Sequence, residues 1–184
     1  MFFRNFSPSQ VGQRPIFNSI DGGVLQTEYL SFDYNGESDL DLEYAMTLVS
    51  PQNVTLYQAG DLVEGASFNN FLDALDASYC TYDGGDDRTQ DSVFPDPHGG
   101  AYEGPENCGG FAATKVISTS YLYDEASLTP FYEMRQCHEY MKLGLQGVTF
   151  LFASGDWGVG GIDGSCIDVA AEEYNDGTNT FHSL

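Results

Sequence analysis

Residues 128–154, LTPFYEMRQCHEYMKLGLQGVTFLFAS, contain the clearest fold signal in the chain. The pattern predicts a long helix over 128–147, because Pro130 suits a first helical turn and Gly147 suits a helix end. The run that follows, 148–154, is almost continuously apolar, which is typical of a strand covered on both faces. A helix that leads directly into a buried strand indicates an α/β protein.

Upstream of this stretch, helix and strand patterns alternate in the same way. Apolar residues at three- and four-residue spacing predict helices over 37–49 and 67–79. Short β-rich runs predict strands over 53–60 and 114–121. The order predicts an α/β fold with a parallel sheet and right-handed crossovers.

Two stretches lack such a pattern. Residues 1–36 are expected to be irregular, apart from a short strand around Val24–Leu25. Residues 80–110 are rich in Gly, Asp and Pro and predict a long loop, of the length that is usually functional, stapled or disordered. Cys80 and Cys108 bracket this loop, and a disulfide between them would contribute about 3–4 kcal/mol.

The composition limits the classes of function. The 184 residues contain 28 acidic and 6 basic side chains, a net charge of −22, which disfavours nucleic acid and anionic membranes as partners. Hydrophobic residues make up 41% of the chain and aromatic residues 14%, the opposite of a disordered composition. No apolar run of about 18 residues predicts a transmembrane helix, and the first ten residues do not resemble a signal peptide.

The charge also bears on the working environment. Asp and Glu titrate near pH 4, so much of the self-repulsion would disappear in acid. The sequence pI of about 4.1 therefore suits either an acid-working protein or simply a soluble acidic surface. Two Asn-x-Ser/Thr sequons, at Asn5 and Asn53, permit secretion.

Beyond the predicted strands lie the segments where an open α/β sheet usually binds ligands. These segments are 58–64, 120–123 and 154–161. In the third, Asp156 follows the apolar strand in a Gly-rich turn, where a protonated carboxyl could donate a hydrogen bond to an oxyanion. The residues alone equally allow a plain turn, in which Asp and Gly are common.

A carboxylate pair is the second candidate for chemistry. Glu37 and Asp41 are four residues apart on a predicted helix and share one face. Two carboxylates that share a proton suit general acid–base work in acid. The residues alone also allow an ordinary solvated face near a helix N-terminus. A calcium loop starting at Asp33 is rejected because Ser38 and Tyr44 stand where it needs Gly and Glu.

Several of these segments together resemble one family. GESDLDLEYAM (36–46), KVISTSY (115–121) and YMKLGLQGVTFLFASGDWG (140–158) are similar to segments of the sedolisins, the serine-carboxyl peptidases with a subtilisin-like fold. The similarity is greatest to secreted fungal members of the tripeptidyl-peptidase and aorsin type. It implies a peptide or protein substrate, an extracellular location and a propeptide in the full-length protein.

The resemblance also implies residue roles. Glu37 would be the general base for a nucleophilic Ser, and Asp41 would orient Glu37 and share its proton. Asp156 would supply the oxyanion hole in its protonated form. Ser120 and Tyr121 would pair with the substrate backbone. An ionised base and a protonated Asp donor coexist most readily in acid.

The sequence also departs from the family pattern. The family nucleophile lies in a GTSAS-type segment, whereas here Gly177-Thr178 is followed by Asn179. We therefore expect residues 1–184 to be a partial peptidase domain, incomplete at both ends and inactive alone. The family calcium site would lie beyond residue 184, so no cofactor is expected in this chain.

Two other interpretations stay open. Leu122 stands where the family usually has Gly beside the substrate, so the chain could be a non-catalytic pseudoenzyme remnant or a truncated gene model. Paired carboxylates also occur in carbohydrate-active enzymes, which need two such groups about 5–9 Å apart across a sugar cleft.

Overall fold

The computed structural model describes residues 1–82, 89–124, 127–158 and 160–161, together with two short strands near the end of the chain. The helices are Phe2–Phe6 (α1), Phe32–Val49 (α2), Phe68–Leu75 (α3), Ala77–Tyr82 (α4) and Pro130–Leu145 (α5), with a 3-10 turn at Pro8–Gln10. The strands are Ile16–Ile20 (β1), Thr55–Ala59 (β2), Val116–Thr119 (β3), Thr149–Phe152 (β4), Cys166–Asp168 (β5) and Glu173–Asn175 (β6). None of the described helices is long and apolar enough to cross a bilayer.

The strands pair as two parallel units and one antiparallel unit. Strand β1 pairs in parallel with β2, and the connection between them contains α2. Strand β3 pairs in parallel with β4, and the connection contains α5. Strands β5 and β6 form an antiparallel pair. The mixed helix and strand content with small parallel sheets agrees with the predicted α/β class, although the pairs form separate two-stranded sheets.

The predicted elements mostly form, with shifts at their ends. Helix α2 begins at Phe32 rather than at residue 37, because Ser31 has the extended backbone of an N-cap and the helix starts there. The predicted helix 67–79 is divided at Asp76, whose extended backbone ends α3. The Asp76 carboxylate then accepts hydrogen bonds from the Ser78 N–H and hydroxyl and opens α4.

Two expectations at the sequence level were wrong. No strand forms at Val24–Leu25, while β1 lies within the segment expected to be irregular. Strand β4 is not covered on both faces: Leu151 and Phe152 keep 53% and 49% of their surface exposed. An apolar run predicts a strand that is stable when both faces are buried. Burial of both faces also requires other elements packed over the strand, which the run itself does not specify.

The core lies where α3, α4, α5 and β4 meet. Leu72, Tyr79 and Leu143 are buried together there. Partly buried side chains pack around them, namely Phe71, Leu75, Tyr140, Val148 and Phe150. Helix α2 contributes little to burial, since Met46 is its one buried residue.

A buried arginine connects the helices around this core. The guanidinium of Arg135, on α5, donates to Asn69 Oδ1 on α3 and, over 2.8 Å, to the carbonyl of Tyr79 on α4. It also lies 3.7 Å from Asp73 Oδ1 and 3.7 Å from the centre of the Tyr79 ring. Arg135 is 4% exposed, so these contacts act in a low-dielectric environment.

The same network reaches the long loop. Asp91, which is 6% exposed, accepts from Ser67 Oγ over 2.6 Å and from Asn69 Nδ2 over 3.0 Å. The Tyr132 hydroxyl on α5 also donates to Asp91. Cys80 and Cys108, at the two ends of the loop, form a disulfide with Cα atoms 5.7 Å apart.

A second cluster of charged side chains connects α5 to the start of α4. Lys142 donates to Asp76, to Ser78 Oγ and, over 3.4 Å, to Glu139 Oε2. Glu139 is 2% exposed, and within the described part of the chain its Oε1 has no hydrogen-bond partner. Burial raises the pKa of Glu139 to about 7; the Asp76 carboxylate adds to the rise and Lys142 opposes it.

Replacing Arg135 by methionine should destabilise the fold. The Arg135→Met variant keeps much of the side-chain volume but leaves buried acceptors without their cation, so we expect a loss of about 3–5 kcal/mol in the free energy of unfolding. Urea denaturation at pH 5 measures it. The exposed Arg4→Met variant is the control and should lose less than about 0.5 kcal/mol. Equal midpoints for the two variants would contradict this account.

The raised pKa of Glu139 predicts a pH dependence of stability. The folded state binds this proton more tightly than the unfolded state, whose Glu pKa is near 4.5, so the stabilisation is complete below pH 4.5 and is lost as the pH rises through 7. We expect a decrease of about 2–3 kcal/mol over that interval. Glu139→Gln should remove most of the decrease in urea denaturation. The exposed Glu133→Gln on the same helix should not, and a decrease unchanged in both variants would refute the assignment.

Candidate active site

A cavity of about 280 Å³ lies beyond the carboxyl ends of β3 and β4. Its lining residues come from three places, namely α2 (Glu37), the segment after β3 (Ser120, Tyr121 and Leu122) and the segment after β4 (Ala153, Gly155, Asp156 and Trp157). Two of the three predicted ligand-binding segments therefore meet here. The third, 58–64, does not contribute to this cavity.

The register of the parallel pair explains why the two segments meet. Thr119 is the register partner of Phe152, and the Ala153 N–H donates to the Thr119 carbonyl over 3.0 Å. This last ladder bond brings the chain after β3 alongside the chain after β4. Ser120 and Asp156, far apart in sequence, consequently line one space.

The two predicted carboxylates on α2 are placed differently. Glu37 lines the cavity, whereas Asp41, one helical turn further on, does not. Both side chains are solvent-exposed. Helix geometry keeps the two residues on one face, within reach of each other. Their proposed sharing of a proton stays a prediction.

Asp156 follows β4 in a tight turn. Gly155 has φ +73° and Gly158 has φ +67°, a left-handed backbone that glycine adopts without the cost imposed by a side chain. The two glycines let the chain turn immediately on either side of Asp156 and Trp157. Asp156 is exposed at the cavity, and its role in an oxyanion hole stays a prediction.

Leu122 and a group of aromatic rings shape the cavity. A Cβ atom added to Gly155 would lie 3.1 Å from Leu122 Cδ2, so Leu122 packs directly over the turn. Phe68, at the start of α3, lies 5.5 Å from the Tyr121 ring and 6.0 Å from the Phe152 ring. Phe68 thus supports the segment after β3, a role that the sequence pattern showed only as one apolar position of a helix.

Curated proteins similar to this chain are fungal peptidases. A tripeptidyl-peptidase of Arthroderma otae is 51% identical over 170 residues, which are 90% of this chain and 25% of the relative. Aorsin of Aspergillus oryzae is 46% identical over 173 residues, 89% of this chain and 26% of the relative. The chain belongs to the sedolisin family.

Further comparisons define the extent of the match. A tripeptidyl-peptidase of Aspergillus fumigatus is 39% identical over 171 residues, 89% of this chain and 26% of the relative. The sedolisin chain thus spans about a quarter of the length of these relatives. No family model and no solved structure matches it.

The contact between Leu122 and Gly155 can be tested with two alanine substitutions in this sedolisin segment. Gly158→Ala should cost about 1–2 kcal/mol of unfolding free energy, because of its positive φ alone. Gly155→Ala should cost about 0.5–1.5 kcal/mol more, since it also displaces Leu122 from its rotamer. Urea denaturation measures both.

A double variant checks the cause of the difference. In a Leu122→Ala background, the two glycine substitutions should become equally costly. A difference that persists in that background would show that Leu122 does not press on the turn.

Proposed function

We propose that this chain forms the acid–base and substrate-binding part of an acid serine-carboxyl peptidase, an endopeptidase or a tripeptidyl-peptidase with a subtilisin-like fold. The observation that supports the proposal is the cavity in which Glu37, Ser120, Tyr121 and Asp156 meet. The names of the relatives, tripeptidyl-peptidase and aorsin, agree with it. Residues 1–184 would be one part of the peptidase domain.

In this proposal Glu37 is the general base. Its ionised carboxylate takes the proton of a serine hydroxyl as that oxygen attacks the peptide carbonyl, and it returns the proton to the leaving amine. Asp41, one turn along α2, orients Glu37 and shares the proton. A carboxylate base replaces the histidine of other serine peptidases and can act in acid, where an imidazole would be protonated.

Asp156 stabilises the negative charge that develops on the carbonyl oxygen. In this proposal the carboxyl of Asp156, at the turn after β4, donates a hydrogen bond to this oxygen in its protonated form. Ser120 and Tyr121 extend β3 and hold the peptide backbone beside the turn. The net charge of −22 at pH 7 suits a protein that works where many of its carboxylates are neutral.

The nucleophile is not supplied by these residues. The sequence contains no GTSAS-type segment, so in this proposal the 184 residues bind a peptide but do not cleave it. The active protein would be secreted, would act on peptides or proteins and would be made with a propeptide. Neither nucleic acid nor membrane is a proposed partner.

A second candidate is a non-catalytic pseudoenzyme remnant. Leu122 supports it, because Leu122 lines the cavity, and the resemblance to the sedolisins implies Gly at this position. Under that reading the cavity is too obstructed for a productive substrate pose. The experiment below separates the two candidates.

A chimera tests the catalytic proposal. Residues of this chain would replace the matching quarter of the Arthroderma otae tripeptidyl-peptidase, which supplies the rest of the enzyme. We expect release of tripeptides from a chromogenic substrate at pH 3–5. Glu37→Gln should lower kcat about 100-fold or more, with KM little changed, because the base acts in the transition state. Asp156→Ala, which removes the proposed donor, should lower kcat about 100-fold.

Asp39→Asn is the matched control for the chimera. Asp39 is an exposed acid on the same helix that does not line the cavity, so its loss should leave kcat within about twofold. A correctly folded chimera that releases no tripeptide until Leu122 is replaced by Gly would favour the non-catalytic reading. Equal losses for Asp39→Asn and Glu37→Gln would refute the role of Glu37.

A further inference from the structure

A second group of potential ligands lies outside the candidate active site. Glu64, in the segment after β2, meets Asp96 and His98 of the long loop. One donor atom from each residue lies within 4.8 Å of the other two. His98 Nδ1 is 2.8 Å from Asp96 Oδ1 and 4.0 Å from Glu64 Oε2.

Asp96 is the unusual member of this group. It is 5% exposed and its side chain is fully buried. Its Oδ1 accepts a hydrogen bond from the His98 main-chain N–H over 2.7 Å, in addition to its contact with the His98 ring. Among the described residues its buried Oδ2 has no hydrogen-bond partner. A buried carboxylate oxygen without a partner is costly, and a bound cation would remove that cost.

Hydrogen bonds to the Asp61 carboxylate and between main-chain groups fix the positions of the two segments. Asp61 Oδ1 accepts from the Glu64 N–H over 2.8 Å, and Asp61 Oδ2 accepts from the Tyr102 N–H over 2.9 Å. The Asp96 N–H in turn donates to the Tyr102 carbonyl over 2.9 Å. Burial alone would raise the pKa of Asp61, but the backbone donors, Tyr102 first, lower it to about 2. This frame therefore holds Glu64 beside Asp96.

We propose that Glu64, Asp96 and His98 bind a divalent transition-metal ion of the zinc type. One imidazole nitrogen and two carboxylate oxygens are donors that zinc accepts at about 2.0–2.2 Å, with water completing the coordination. The donor atoms are close enough to converge on one ion after rotation of the exposed His98 ring, whose side chain is 64% exposed. Asp96 would bind through its carboxylate group, of which Oδ2 has no other partner among the described residues.

Such an ion would restrain the long loop at a second point. The disulfide from Cys80 to Cys108 joins the two ends of the loop. Binding through Asp96 and His98 on one side and Glu64 on the other would join its middle to the segment after β2. The expected effect of the ion is to restrain the loop, and this effect is independent of the proposed peptidase chemistry.

Calorimetric titration of the whole chain with zinc chloride at pH 7 tests the proposal. All variants carry Cys137→Ser and Cys166→Ser, because Cys137 is an exposed free thiol that could itself bind zinc. We expect one saturable site and a rise in Tm on binding. His98→Ala should raise Kd at least about tenfold. Since His98 is exposed, this variant should fold normally.

Further variants separate a real site from adventitious binding. Glu64→Gln should also weaken zinc binding at least about tenfold, while His138→Ala, an exposed histidine on α5, should leave Kd unchanged. No saturable binding, or binding that His98→Ala leaves intact, would overturn the proposal and reduce the cluster to an ion pair. Equal weakening by His138→Ala would overturn it as well.

Discussion

The guanidinium of Arg135 is the contact on which the arrangement of the helices depends. It joins α3, α4 and α5 through Asn69, Asp73 and the Tyr79 carbonyl, and it is buried in a chain that contains six basic residues. Helix α5 leads directly into β4, and β4 ends at the turn that carries Asp156. The orientation that Arg135 gives to α5 is therefore passed along the chain to the cavity. A buried cation surrounded by polar acceptors fixes such an orientation more specifically than apolar contacts, which tolerate repacking.

The cavity follows from the geometry of a parallel strand pair. Strands β3 and β4 run in the same direction, so their carboxyl ends meet and the segments that follow them become neighbours. Glu37 lies on α2, the helix in the connection between the strands of the other parallel pair, β1 and β2. The site thus combines side chains from separate parts of the chain, and the proposed acid–base chemistry would use two carboxylates, Glu37 and Asp156, that lie on different elements. The proposed metal site also combines two separate segments. Glu64 follows β2, whereas Asp96 and His98 lie in the long loop.

Much of the fold was predictable because local patterns determine it. Pro130 and Gly147 mark the ends of the region that contains α5, and the apolar run after it predicts β4. Strand β1 escaped prediction because IFNSI is short and lies between segments without a period. The exposure of Leu151 escaped it because burial depends on a covering layer that sequence periodicity does not describe. The Arg135 network could not be read from the sequence, since its members come from positions as far apart as 66 residues and share no spacing.

The sequence identifies the candidate site through the order of Glu37, Asp41 and Asp156 along the chain. Neither the Glu37–Asp41 pair nor the turn that contains Asp156 would identify it alone. The proposed function depends most directly on one statement, that a peptide binds where Glu37, Tyr121 and Asp156 meet. Trp157 is the one tryptophan of the chain and lines that cavity, so its fluorescence reports directly on occupancy. Titration of the chain at pH 4 with a substrate-like peptide should give a saturable change in Trp157 emission that Tyr121→Ala weakens. An emission spectrum that does not respond to peptide, with the chain folded, would contradict the claim.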